Sequence, residues 1–234
     1  MFVARRSLRE SLDGRSLFRR TSISRSMGTM SDRIAEIHPG ERDGRRDDAP
    51  CLALSELIVP AFSQALTNLG GQLDRATEHA AGGGVPLSDL LHARLAPDMH
   101  PLGCQIAFAS LQARECIARL QGAPLPATPE FGTPARARRA LEDALAVLAE
   151  CDRTTIDLAA DRAVELRLPG SLRFVLHGRE YVRDWAIPQF YFHLVTAYAI
   201  LRREGVPLGK ADFVPHMFRY LVSLPEEAEN ARAS

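Results

Sequence analysis

Gln189-Phe190-Tyr191-Phe192-His193-Leu194-Val195-Thr196-Ala197-Tyr198-Ala199-Ile200-Leu201-Arg202-Arg203-Glu204-Gly205-Val206-Pro207-Leu208-Gly209-Lys210 is the stretch on which the reading of the fold turns. It reads as the end of a long helix. Arg202 and Arg203 complement the negative end of a helix dipole, Gly205 suits the C′ position, and Pro207 prevents continuation. Traced backwards, the helix starts near Arg179, and Pro188 should kink or restart it after Asp184. Phe190, Tyr191 and Phe192 stand beside one histidine, His193, in an apolar setting.

Upstream of this helix the apolar period changes to two. Val164, Leu166 and Leu168 alternate with polar neighbours, and Phe174 and Leu176 do so after Pro169-Gly170-Ser171. That pattern is a β-hairpin signal with a Pro-Gly turn. Three more helices precede it. Leu54, Leu57, Ile58, Ala61, Phe62 and Leu66 begin a stripe at spacings of three and four that ends at Gly82-Gly83-Gly84, with Pro60 in an early turn. Ser88 to Leu95 fits a short helix. Asp98 reads as N-cap and Pro101 as first-turn residue of the second long helix, which carries Ile106, Ala113 and Ile117 inward and ends at Gly122. Thr133-Pro134 reads as N-cap and N1 of the third, with Leu141, Leu145 and Leu148 inward. Phe213 to Leu224 fits a short terminal helix. The expected fold is all-α, four long helices with a hairpin before the last.

Composition excludes several classes. Of 234 residues, 29 are basic and 29 acidic, so no charge excess points to nucleic acid. No apolar run approaches the ~20 residues of a membrane span. Cys51, Cys104, Cys116 and Cys151 form no C-x-x-C pair, which argues against a zinc knuckle or thioredoxin motif. They read as reduced thiols, mostly buried, with Cys104 as the one candidate for reactivity. Gly82 to Gly84 lack the strand and the Lys-Ser/Thr of a phosphate loop. Neither G-x-S-x-G nor H-E-x-x-H occurs.

Residues 1–50 are set apart as an Arg/Ser-rich extension, 51–222 as the folded domain and 223–234 as a flexible tail. The first 30 residues have the composition of a mitochondrial transit peptide, and the competing reading starts translation at Met27 or Met30. A cytoplasmic location is therefore expected, with a mitochondrial one as the alternative.

Leu95-Ala96-Pro97-Asp98-Met99, the hairpin leading into Gly178-Arg179-Glu180-Tyr181, and Phe190-Tyr191-Phe192-His193 through Gly205-Val206-Pro207-Leu208-Gly209-Lys210-Ala211-Asp212-Phe213 together resemble a domain-of-unknown-function family of bacteria and fungi. That family is grouped with the DinB-like (YfiT-like) four-helix-bundle metalloenzyme superfamily. The resemblance covers about residues 52–215 and implies an up-down-down-up bundle. In the wider superfamily, thiol-dependent transferases and an isomerase hold a divalent metal on one histidine of helix two and two of helix four, spaced H-x-x-x-H. His193 can occupy the first helix-four position, but Ala197 stands at the second. On helix two the nearest candidates are Asp98, His100 and Gln105. His193, His100 and Asp98 are the weak candidates for a two-His-one-carboxylate set, and no cofactor is expected beyond such a metal.

The candidate catalytic residues are His193 as base with Asp98 and Tyr198 in support, and the expected pocket wall adds His100, Gln189, Tyr191 and Trp185. The reading is of a small molecule bound between helices two and four, with transferase or isomerase chemistry open. The alternatives are a non-catalytic binding or stress-response module, and a homodimer built through the aromatic helix. His177 and His216 lie at element ends and read as solvated.

Overall fold

The computed structural model describes residues 52–168 and 170–222. The expected extension 1–50 and tail 223–234 lie outside the described residues, as does Pro169 of the hairpin turn.

Four long helices carry the fold: α1 (Leu54–Ala81), α2 (Leu102–Gln121), α3 (Pro134–Glu150) and α4 (Ile187–Arg203). The directions follow from contacts. Phe62 stacks on Phe190 at 4.1 Å, and further along α1 Arg75 donates to the Pro207 carbonyl, so α1 and α4 run the same way. Arg138, near the start of α3, pairs with Asp74, while Leu141 lies against Gly70, so α3 opposes α1. Gln105 meets His193 and Cys116 lies beside Tyr181, so α2 opposes the last helix. The order is up-down-down-up, as the resemblance implies.

Each helix begins for an identifiable reason. At α3 the Thr133 hydroxyl accepts from the Arg136 N–H at 3.2 Å and Pro134 takes N1, as expected. At α1 the capping residue Ala53 offers no side chain. Asp157, on a short helix after α3 (Arg153–Leu158), accepts instead from the Ser55 N–H at 2.7 Å and the Ser55 hydroxyl at 2.9 Å. Asp157→Ala should therefore destabilise the fold by ~1–2 kcal/mol in urea unfolding, because it strips a charge-assisted cap from a buried helix start. An unchanged midpoint would show that solvent replaces the carboxylate.

The start of α2 corrects the expectation for Asp98. The helix begins at Leu102 with Pro101 in the cap position, and Asp98 is exposed in the preceding loop. A residue before proline is disfavoured in the α region, so His100 cannot open the helix. Backbone does the capping: the Leu102 N–H donates to Ala93 O at 2.9 Å and the Gly103 N–H to Leu91 O at 3.0 Å.

The hairpin pairs β1 (Ala163–Leu168) with β2 (Leu172–His177), antiparallel, with Leu168 opposite Leu172. Val164 and Leu166 are buried, as the period-two pattern requires. The chain then passes through a helical turn (Gly178–Tyr181) and a π-helical turn (Val182–Ala186) into α4. Pro188 explains the wide turn: it has no N–H for the Asp184 carbonyl four residues back, and the extra residue per turn absorbs the mismatch. After Gly205, at φ 89°, come a short helix (Lys210–Phe213) and a 3₁₀ turn (Pro215–Tyr220) in place of the expected terminal helix. Pro215 forbids helical backbone at Val214 and divides the two. Among the described residues no helix is long and apolar enough to cross a membrane.

Candidate functional site

His193 projects from α4 toward the start of α2, where Gln105 waits. Gln105 is buried and its amide is fully assigned by its partners. The His100 carbonyl, which can only accept, takes the Nε2 hydrogen at 3.0 Å. Oε1 therefore faces His193, 2.8 Å from Nδ1. An amide oxygen can only accept, so Nδ1 carries the proton and Nε2 keeps a lone pair. No described residue hydrogen-bonds that Nε2.

The rings around it are aromatic. Phe108 lies 5.3 Å from His193 and 5.2 Å from His100, and Phe192 packs edge-on to His193 at 5.4 Å. Burial, with a smaller effect from the nearby His100 charge, lowers the His193 pKa from the usual 6.5 to about 4. At neutral pH the group is an uncharged imidazole of fixed tautomer. It can accept a hydrogen bond through Nε2, or take a proton from a ligand whose developing charge favours the imidazolium.

The structure brings His193 and His100 together around Phe108 and leaves the other expected site residues apart. Asp98 is exposed on its loop. Tyr198 stacks edge-on against Phe213 at 5.5 Å, on the side of α4 that faces the segment after Gly205. Tyr191 packs on Phe190 and lines a cavity between α1 and α4. Trp185 is partly buried against the core from the π-helical turn. Gln189 is partly buried, and Thr196 turns its hydroxyl back to the Phe192 carbonyl at 2.7 Å. Neither hydrogen-bonds His193. A cavity lies between α1 and α4, whereas a pocket between α2 and α4 was the expectation.

Two histidines read as solvated are held. His177 Nδ1 is 2.9 Å from the Asp161 carbonyl, and His216 Nδ1 is 3.2 Å from Asn68 Nδ2. Burial raises the thiol pKa of both Cys104 and Cys116, the latter to about 12, which keeps them protonated and unreactive.

The three-histidine metal set does not fit this donor set. Gln105 is the helix-two side chain that meets His193, and its amide is spent on His193 and the His100 carbonyl. Ala197, one turn beyond His193, is buried and has no donor atom. Among the described residues no three His, Cys, Asp or Glu side chains gather, so Asp98, His100 and His193 do not form the alternative set.

Comparison with known proteins agrees with the fold. The family model described as "Domain of unknown function (DUF1993)" matches residues 54–214. The crystal structure of a DinB family member protein from Shewanella denitrificans is similar at a TM-score of 0.62 and 33% sequence identity, over 74% of this chain and 93% of that one. No curated protein matches. With more than half its length matched by that family model, the chain belongs to the DUF1993 family of unknown function and carries a DinB-like four-helix bundle.

Proposed function

We propose that the protein binds a small molecule at the α2–α4 face and that Nε2 of His193 is the atom that receives it. The Gln105 amide, bridging the His100 carbonyl and His193 Nδ1, carries this reading. A purely structural histidine needs a partner for Nδ1, but its tautomer need not be fixed from a second, backbone-anchored point. Here the fixed tautomer leaves an acceptor among Phe108 and Phe192, suited to a ligand with an apolar body and one donor. Binding is favoured over proton transfer, because an imidazole with a pKa of about 4 is a weak base. Catalysis as a transferase or isomerase requires a ligand that raises that value.

A thermal-shift screen of uncharged and anionic small molecules tests the reading. Hits should stabilise the protein, and His193→Ala should abolish their effect while the variant stays folded. Hits that bind His193→Ala as well as wild type would remove His193 from the site.

A second reading rests on α4 itself. Phe192 and Val195, one turn apart, are 54% and 50% exposed. Exposed apolar residues at that spacing suit an interface with a second copy. Light scattering at micromolar concentration decides it: a dimer that dissociates in Val195→Lys supports the reading, and a wild-type monomer ends it.

A further inference from the structure

We infer a second ligand site, independent of His193, in the cavity between α1, α4 and the segment Lys210–His216. It fits a small uncharged ring compound that donates one hydrogen bond. The cavity holds about 210 Å³. Ala61 and Ala65 of α1, Tyr191 and Leu194 of α4, and Phe213 form apolar walls. It is smaller than the ~300–1,000 Å³ of a drug-sized pocket, which limits the occupant to one or two rings. The flanking Tyr191 and Phe213 favour an aromatic one.

The polar lining decides the rest. Asn68 Nδ2 donates to the Phe213 carbonyl at 3.1 Å and meets His216 Nδ1 at 3.2 Å. An amide nitrogen only donates, so His216 Nδ1 accepts. Gln72 Nε2 donates to the Asp212 carbonyl at 3.3 Å. Asn68 and Gln72 spend hydrogens on the covering segment and keep their oxygens, and a third amide, Gln64, also lines the cavity. Gln72 is only 2% exposed, and its Oε1 has no hydrogen-bond partner and is out of reach of water, so a ligand in the cavity meets it only when the covering segment shifts. A buried acceptor in that state is unfavourable until a donor reaches it. No aspartate, glutamate, lysine or arginine lines the cavity, so a charged ligand would enter without a counter-charge. What remains is an aromatic body with an N–H or O–H donor. The covering segment is tied by amide-to-carbonyl bonds and by the edge contact of Phe213 on Tyr198, which a modest displacement would open.

The test titrates the full chain with indole and with 1-methylindole, which has the same body and no donor, followed by protein NMR. Saturable binding of indole is expected, with intermolecular NOEs to the Tyr191 and Phe213 rings and roughly tenfold weaker binding of 1-methylindole. Gln72→Leu should bring indole down to the level of 1-methylindole, and Ala65→Met should block both by filling the space. His193→Ala should leave the NOEs at Tyr191 and Phe213, and the indole titration read at those two rings, unchanged, which separates this site from the α2–α4 face. The inference is overturned if indole does not saturate at millimolar concentration, if the two probes bind alike, or if the NOEs map to other residues.

Discussion

Gly178→Ala should destabilise the protein by more than ~3 kcal/mol and leave much of it unfolded or insoluble. A β-carbon at Gly178 would stand 2.1 Å from the Ala159 carbonyl oxygen and 2.9 Å from its carbon. Both atoms are backbone in a 3₁₀ turn (Ala159–Asp161), so no rotamer change can clear them. The Gly178 N–H also donates to the Arg162 carbonyl at 2.9 Å, and His177 Nδ1 lies at hydrogen-bond distance from the Asp161 carbonyl. Any shift that admits the methyl group breaks this seam, where the hairpin hands the chain to the last helix. Gly71→Ala is the control. Its β-carbon meets nothing within 4 Å on the exposed side of α1, so helix propensity alone should stabilise it by roughly 0.5–1 kcal/mol. A Gly178→Ala variant with a wild-type urea midpoint would refute the close approach.

Gln105→Glu should raise the His193 pKa past the ~6.5 of an unfolded histidine and so reverse the sign of its contribution to acid stability. In the wild type the folded-state pKa is about 4, below the ~6.5 of an unfolded histidine. Between those values the unfolded chain binds more protons, so stability is full above pH ~6.5 and falls as pH drops toward 4. The loss is at most ~3.5 kcal/mol, since one pKa unit is worth about 1.4 kcal/mol, and solvent screening of the partly exposed ring reduces it. A carboxylate at position 105 favours the imidazolium instead. Stability from that pair would then be present below pH ~6.5 and lost as pH rises through the new folded pKa. The same substitution removes the donor to the His100 carbonyl and sets two acceptors face to face, so at pH 8 the variant should be ~1–3 kcal/mol less stable. Urea unfolding at pH 5 and pH 8 reads both effects. Parallel pH profiles for variant and wild type would mean that position 105 does not govern His193.

What could be read in the sequence was local. The end of α4 at Gly205-Val206-Pro207, the Thr133-Pro134 start of α3 and the period-two hairpin are signals carried by a few adjacent residues, and each stands where it was read. Signals that depend on distant partners were not legible. Asp157 caps α1 across 102 residues, and nothing near Ser55 announces it. Asp98 has the right side chain for a cap, but Pro101 and the carbonyls of Leu91 and Ala93 take over that function. The site divides the same way. His193 stands out in an apolar helix, whereas Gln105 was one of three helix-two candidates, and only the antiparallel packing of α2 on α4 sets it 2.8 Å away. Tyr198 shares a helix with His193, but five residues of helical rotation turn it toward Phe213.

Long-range proton–nitrogen correlation NMR of the His193 ring, followed from pH 7 to pH 3.5, addresses the central claim most directly. The expected result is a neutral ring protonated on Nδ1, with an unprotonated Nε2, that titrates near pH 4 and loses its tautomer preference in Gln105→Leu. A ring protonated on Nε2 at neutral pH, or one that titrates near 6.5, would contradict the account.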